Sequence, residues 1–346
     1  MNKDPNSAAA GQTHPKKILA EERFRERYQQ PDTWRSLWQL ANSVIPYLAL
    51  WVVMVWSLRV SYLLTLALSV LAAGFLVRTF IIFHDCGHGS FFKSRKANDG
   101  VGIFTGLFTF TPYYRWRRDH AIHHASAGDL DRRGTGDVMT LTVDEYLALP
   151  TWRRRIYAFW RHPLILFTLG SFFSFTIGGR FSSRGSGRKE RMGVWYTNLA
   201  LAGLISLVIA LIGWKAFLLI QFPIIFIAAS VGVWLFYVQH NFEGTYWERH
   251  PDWDFYKAAL HGASFYQLPA ILRWFTGNIG FHHIHHLSSR IPNYYLARCL
   301  RENPAFQIKP LTIRSSLRSL RLRLWDEQSR RMIGFRELSR LHPRTS

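Results

Sequence analysis

Two pairs of long apolar runs, each broken by only a residue or two, constrain this chain more than anything else in it. Ala41–Leu58 is followed at once by Val60–Phe83, and Gly193–Gly213 by Ala216–Val238, with Arg59 in one gap and Trp214 and Lys215 in the other. Runs of about 20 apolar residues match the hydrocarbon thickness of a bilayer when they are helical. A helix also satisfies its own backbone polar groups there, which an irregular segment cannot do. The gaps are long enough only to turn, so each pair forms a hairpin that enters and leaves on one side. Everything else then lies on that side.

Charge orients the hairpins. The 346-residue chain carries a formal net charge of +21 although 48% of it is hydrophobic. A soluble nucleic-acid binder would share the charge but not the four spans, so no nucleic-acid partner is expected. The two turns hold only Arg59 and Lys215. The segment between the hairpins holds Arg115, Arg117, Arg118, Arg132, Arg133, Arg153, Arg154, Arg155 and Arg161, with more basic residues between Arg180 and Arg191. The positive-inside rule makes that bulk, and both termini, cytoplasmic. Arg78, near the end of the second span, is expected to extend its head to the interface.

The expected organisation is a cytoplasmic lead-in (1–40), a membrane domain (41–310) and a basic C-terminal tail (311–346). Within the domain, Gly100–Pro112, Pro163–Gly178 and Leu268–Phe281 are borderline or too short to cross unaided and read as re-entrant or interfacial. Gly178–Gly193 reads as a flexible loop. The N-terminal stretch has no apolar core of the signal-peptide kind. Cys86 and Cys299 are the only cysteines, too few for a disulfide framework or a cysteine-based zinc site.

The chemistry is written in histidine. HDCGH comes within one carbon of the His-Glu-x-x-His of zinc proteases, which would make Asp85 a general base beside one metal. Two further clusters argue for a larger site. His84 and His88, then His120, His123 and His124, then His282, His285 and His286 each sit at helical spacings that share a face. His240 follows the fourth span by two residues. The topology brings all four segments to one membrane face. Nine imidazoles exceed what one ion needs, since a zinc site takes three or four ligands, and they suit two metals. Imidazole accepts zinc, copper, nickel or iron, so the letters do not name the element.

HDCGH, HAIHH and FHHIHH, in that order and at those places relative to the spans, resemble the histidine boxes of the membrane fatty-acid desaturase and hydroxylase superfamily. HASAGDLDRRGTGDV, VQHNFEGTYWERHPDW and GNIGFHHIHHLSSRIPNYYL are similar to the bacterial acyl-lipid desaturases of the omega-6 (Δ12) kind, over residues 40 to 310. The resemblance implies an all-α integral membrane enzyme with a cytoplasmic helical cap, set in a bacterial inner membrane. It implies a non-haem centre of two iron ions, dioxygen as co-substrate, and a hydrophobic tunnel for a fatty acyl lipid. Residue by residue, the iron ligands carry over onto His84, His88, His120, His123, His124, His240, His282, His285 and His286. His283 breaks the spacing and is a bystander or a group standing behind the ligands. Some members place an asparagine near one metal; Phe236 stands at that position here, and Asn278 is a substitute.

Hydrogen removal from an unactivated methylene lies beyond the acids, bases and nucleophiles of a protein, so an oxygen-activating cofactor must carry it. The protein then fixes the second imidazole nitrogens. Asp85, Asp119, Asp129, Asp131, Asp137 and Glu243 lie close enough in sequence, and Asp85 and Asp119 adjoin the boxes themselves. The resemblance also implies ferredoxin or a b-type cytochrome as electron donor, and the chain contains no His-Pro-Gly-Gly haem motif. A basic surface would attract anionic headgroups and an acidic donor alike. Two other readings stay open at this level: a hydroxylase or ketolase with the same metals, and a metal transporter, against which stands the scarcity of ionisable groups in the spans.

Overall fold

The computed structural model describes residues 15–341. Four of its helices are long and apolar enough to cross a membrane. The first, α1 (Thr33–Ser57), starts where the Asp32 side chain accepts a hydrogen bond from the Arg35 amide, an N-cap that satisfies one orphan donor of the first turn. A turn of four residues leads to α2 (Tyr62–His88), and a 2.7 Å hydrogen bond between the Ser57 and Thr65 hydroxyls clasps the hairpin. Next come α3 (Arg95–Phe108) and α4 (Tyr113–Ser126).

Strand β1 (Leu141–Thr142) precedes α5 (Thr151–Trp160). The second hairpin is α6 (Arg188–Ile212) and α7 (Trp214–His240), turned by Gly213 alone at φ +84°, a conformation that costs glycine nothing. The cap is completed by β2 (Tyr266–Gln267), α8 (His282–Leu287), α9 (Asn293–Glu302), β3 (Leu311–Thr312), β4 (Leu324–Asp326) and β5 (Arg331–Ile333).

The apolar core joins the two hairpins. Tyr47 and Met54 of α1, Ala72, Leu76 and Val77 of α2, and Ile220, Ile224 and Leu235 of α7 form one buried cluster. In its most apolar stretch α2 has 56% of its residues buried and α6 only 6%. The second span is therefore the central post of the bundle, while the third faces lipid.

The short apolar stretches take three forms. Gly100–Pro112 becomes most of α3. Pro163–Gly178 is a π-helical turn (Ile165–Gly170) and a short α-helix (Ser171–Thr176), set at 67° to α5 across a break. Leu268–Phe281 holds the single turn and a half Ala270–Phe275. The glycine-rich stretch expected as a flexible loop from Gly178 to Gly193 differs: residues 188–193 are already the start of α6, and the part before it is tied down where Arg115 donates to the Gly178 carbonyl at 2.6 Å and to the Ser183 hydroxyl at 2.8 Å and Arg180 to Asn198 at 2.9 Å.

Both flanks are knit to the body. Phe24 and Tyr28, inside the expected lead-in, pack with Ile284, Leu300 and Phe306. The stretch from residue 311, expected as a tail, supplies three strands: β3 pairs in parallel with β2 (Tyr266↔Leu311), and β4 pairs with β1 (Leu141↔Leu324) and with β5 (Leu324↔Ile333). Arg78 also differs from expectation. It is buried, donates to the Trp274 carbonyl and stacks on the Trp274 ring at 3.9 Å, because this interior neighbour meets the guanidinium before solvent does.

Gly102 shows how closely the cap is fitted to α2. A Cβ there would stand 2.1 Å from the Tyr113 ring, whose hydroxyl donates to the Cys86 carbonyl at 2.7 Å between the first two histidines. Gly102→Ala is expected to cost about 1–3 kcal/mol by overpacking, seen as earlier thermal unfolding in detergent.

Candidate metal centre

Four helix ends deliver the histidines. The last two turns of α2 put His84 and His88 on one face, and Gly89, at φ +70°, ends the helix immediately afterwards. The C-terminal turns of α4 carry His120, His123 and His124. His240 is the last residue of α7, and α8 consists almost wholly of the third box.

The nine rings form two groups. His84, His88, His120, His124 and His285 make one, and His123, His240, His282 and His286 the other, with the ligand atoms of each group within 4.8 Å of one another. In the first, Nε2 of His120 lies 3.0 Å from that of His84 and 3.1 Å from that of His124, which is 3.0 Å from that of His285. In the second, Nε2 of His240 lies 3.1 Å from that of His123 and 3.0 Å from that of His282, which is 3.1 Å from that of His286. The groups touch where the rings of His124 and His286 stack at 4.1 Å.

These donor sets fit metal ions. Two nitrogens about 3 Å apart subtend roughly a right angle at an ion about 2.1 Å from each, a common ligand spacing. His88 Nε2 is buried and has no hydrogen-bond partner among the described residues. A buried imidazole nitrogen left without a partner is costly unless something fills it. Burial, and after it the neighbouring imidazoles, hold His120, His124, His282, His285 and His286 well below the ordinary histidine pKa. They are neutral near pH 7, the form that ligates.

Three of the outer nitrogens are held by a neighbouring oxygen, whereas His282 Nδ1 is buried with no partner among the described residues. His84 Nδ1 faces Asp85 Oδ1 at 3.2 Å, and Asp85 Oδ2 in turn accepts from the Asn293 amide at 2.7 Å and side chain at 2.8 Å. His123 Nδ1 meets Asp137, and His240 Nδ1 faces the Gly262 carbonyl at 3.2 Å.

Asp119, although it adjoins the second box, is turned away: Ser183, Arg115 and Arg118 take its oxygens. Asp129 pairs with His250, Asp131 with Arg249 and Glu243 with Arg318. Asp137 reaches His123 because Gly136, at φ +75°, lets the loop pass over α4 where a Cβ would meet the Asp119 carbonyl at 2.9 Å. Asp137→Asn is expected to weaken metal retention roughly 10- to 100-fold, and Asp119→Asn to leave it unchanged, as measured by dialysis against a graded chelator.

Asn278 adopts φ +58° and donates to the Asn293 carbonyl at 3.1 Å, bracing the turn before α8. His283 belongs to neither group and lies beside the Phe265 ring. Phe236 packs on His123 and His240, with centroids 5.1 and 5.2 Å away, and gives the second group an apolar wall. His14 and His342 lie outside the described residues.

One cavity opens from the metal groups. It has a volume of 870 Å³ and is lined by His84, His120 and His282 and by apolar residues of α2 and α7, from Leu76 to Ile81 and from Ile225 to Phe236. The stretch along α7 is about 16 Å long at 1.5 Å per residue. On another side the lining includes Trp152, Ile156 and Trp160 of α5, all exposed.

A bundle with four apolar spans and two imidazole groups able to hold metal, beside a long cavity with apolar walls along α2 and α7, defines the class as a membrane protein with a candidate metal centre. Comparison with known proteins gives the family. The model of the fatty acid desaturase family matches residues 60–314. A fatty acid desaturase of Bacillus subtilis (strain 168) is 48% identical over 91% of this chain and 90% of its own length. An sn-1 acyl-lipid omega-3 desaturase (ferredoxin) of Synechocystis is 28% identical over 63% of this chain and 61% of its own, and an endoplasmic reticulum omega-3 fatty acid desaturase of Vigna radiata is 26% identical over 64% and 60%. The chain belongs to the fatty acid desaturase family, and it is an oxidoreductase.

Proposed function

We propose that this enzyme introduces a cis double bond into the acyl chain of a membrane lipid, at the Δ12 (omega-6) position, using dioxygen and two irons held by the nine histidines. The observation that carries this reading is the cavity: its walls along α2 and α7 are apolar, and it meets His84, His120 and His282. The irons would supply the oxygen activation that no side chain can. His84, His88, His120, His124 and His285 would hold one, and His123, His240, His282 and His286 the other. Asp85 and Asp137 keep the Nδ1 protons of His84 and His123 pointed outward, so that Nε2 faces the metal. Leu76, Val77, Ile225 and Phe236 align a methylene chain and exclude water from the reacting carbon.

The Δ12 position is supported by the motifs around the boxes. A separate donor, ferredoxin or a b-type cytochrome, suits the basic cytoplasmic face, and the Synechocystis relative carries ferredoxin in its name. The charge pattern supports a membrane setting with the boxes cytoplasmic, and the likeness to a Bacillus desaturase supports a bacterial inner membrane. The test is expression in a host rich in oleoyl lipids together with a ferredoxin system, with double bonds located by mass spectrometry. A Δ12 diunsaturated chain and two irons per protein are the expected result. A hydroxylated chain, or a protein without iron, would overturn the proposal.

A further inference from the structure

The cavity changes chemistry beside α5. Arg161, which follows the last residue of α5, lines the cavity and is only 3% exposed. Its Nη2 donates to the Tyr237 hydroxyl and to the Arg323 carbonyl, each at 3.3 Å. Its Nε and Nη1 are buried and have no partner among the described residues. A second buried cation adjoins it: Arg323, 7% exposed, reaches the same Tyr237 hydroxyl at 3.4 Å and otherwise donates to the carbonyls of Leu320 and Leu322. Arg161 also lies over the Tyr157 and Tyr237 rings, 6.0 and 5.2 Å from their centroids; the hydrogen-bond acceptors of both arginines are hydroxyl and carbonyl oxygens, and neither has a carboxylate partner among the described residues. Two neighbouring buried cations without a counter-ion, one with donors unfilled, are unfavourable unless an anion completes them.

We infer that Arg161 binds the phosphate diester of a glycerophospholipid whose acyl chain lies in the cavity. This rests on the cavity being the acyl channel. The position favours phosphate over the carboxylate of a free fatty acid. The helix α5 exposes Trp152, Ile156, Phe159 and Trp160, a composition that settles at the headgroup level. Arg161 at its end is therefore at the depth of lipid phosphates, with exposed Arg153 lining the same cavity. Guanidinium also matches phosphate oxygens better than an ammonium does.

The test uses the full-length protein in nanodiscs and needs no turnover. Phosphatidylglycerol with a diazirine on its acyl chain is photolysed, and labelling of cavity residues is read by peptide mass spectrometry beside diacylglycerol and free fatty acid carrying the same chain. Arg161→Gln is expected to lower labelling by phosphatidylglycerol roughly 10- to 100-fold, the loss of charge-assisted hydrogen bonds, and to leave diacylglycerol labelling unchanged. Arg161→Lys should recover part of it. In the unmutated protein, unlabelled phosphatidylglycerol should outcompete diacylglycerol by a similar factor, which keeps the inference testable if the variants fold poorly. Equal loss for both glycerolipids, or equal competition, would make Arg161 a structural tie and overturn the inference. Loss confined to the free fatty acid would overturn the phosphate assignment. Cavity labelling by none of the three would overturn the acyl channel itself.

Discussion

Replacing His124 with alanine is expected to abolish desaturation, by at least about a thousandfold, and, on the proposed two-iron centre, to lower the bound metal from two ions per protein towards none. Loss of one member of a catalytic set commonly costs that much in rate. The metal loss follows from where the ring sits. His124 Nε2 lies between those of His120 and His285, 3.1 and 3.0 Å away, and its ring also stacks on His286 of the other group. Removing it opens the first group and takes the packing partner from the second. His283→Gln is the control, because this buried neighbour belongs to neither group. Metal analysis of both variants after size-exclusion chromatography separates a damaged site from an unfolded protein. If His124→Ala keeps two ions and full activity, the assignment of the first group as a metal site is wrong.

The helices that carry the site were legible because they obey local rules. Apolar runs of membrane length need no partner to be recognised, and a gap of one or two residues leaves no alternative to a hairpin. Histidines three and four apart announce a shared face in the same way. What the sequence hid is long-range. Asp119 adjoins His120 in sequence yet serves Ser183, whereas Asp137, fourteen positions beyond His123, serves it across a loop. The one local trace of that contact is Gly136, whose left-handed backbone lets the acid approach. Arg78 was expected at the interface because the sequence does not show Trp274 waiting inside. Strands of two or three residues carry no readable period, so the pairing of Leu324 with Leu141 and Ile333, which binds the C-terminal segment to the cap, could not be foreseen. The unfilled donors of Arg161 likewise exist only once residues 237 and 323 meet it.

Filling the cavity halfway along should abolish activity on long chains without harming the fold. Gly232 lines the cavity, and a Cβ at this position would have nothing within 4 Å. It lies eight residues before His240, about 12 Å along α7. Gly232→Phe therefore puts a ring into open space, and the helix gains from the loss of glycine, so thermal stability and metal content should hold. A chain that must pass that ring to reach the metal groups would lose binding. Even one methylene that does not fit a pocket is worth roughly 10- to 200-fold in specificity, and a whole ring in the path should exceed the upper figure for chains of ordinary membrane length. Shorter chains that stop before residue 232 should keep a larger share of their rate. Gly232→Ala, too small to block, should stay near the parent. Product profiles across a series of chain lengths would show a cutoff that moves with side-chain volume at position 232. An unchanged profile in a variant that still binds metal would mean that the acyl chain travels by another route, and the walls from Ile225 to Phe236 would then be packing surface alone.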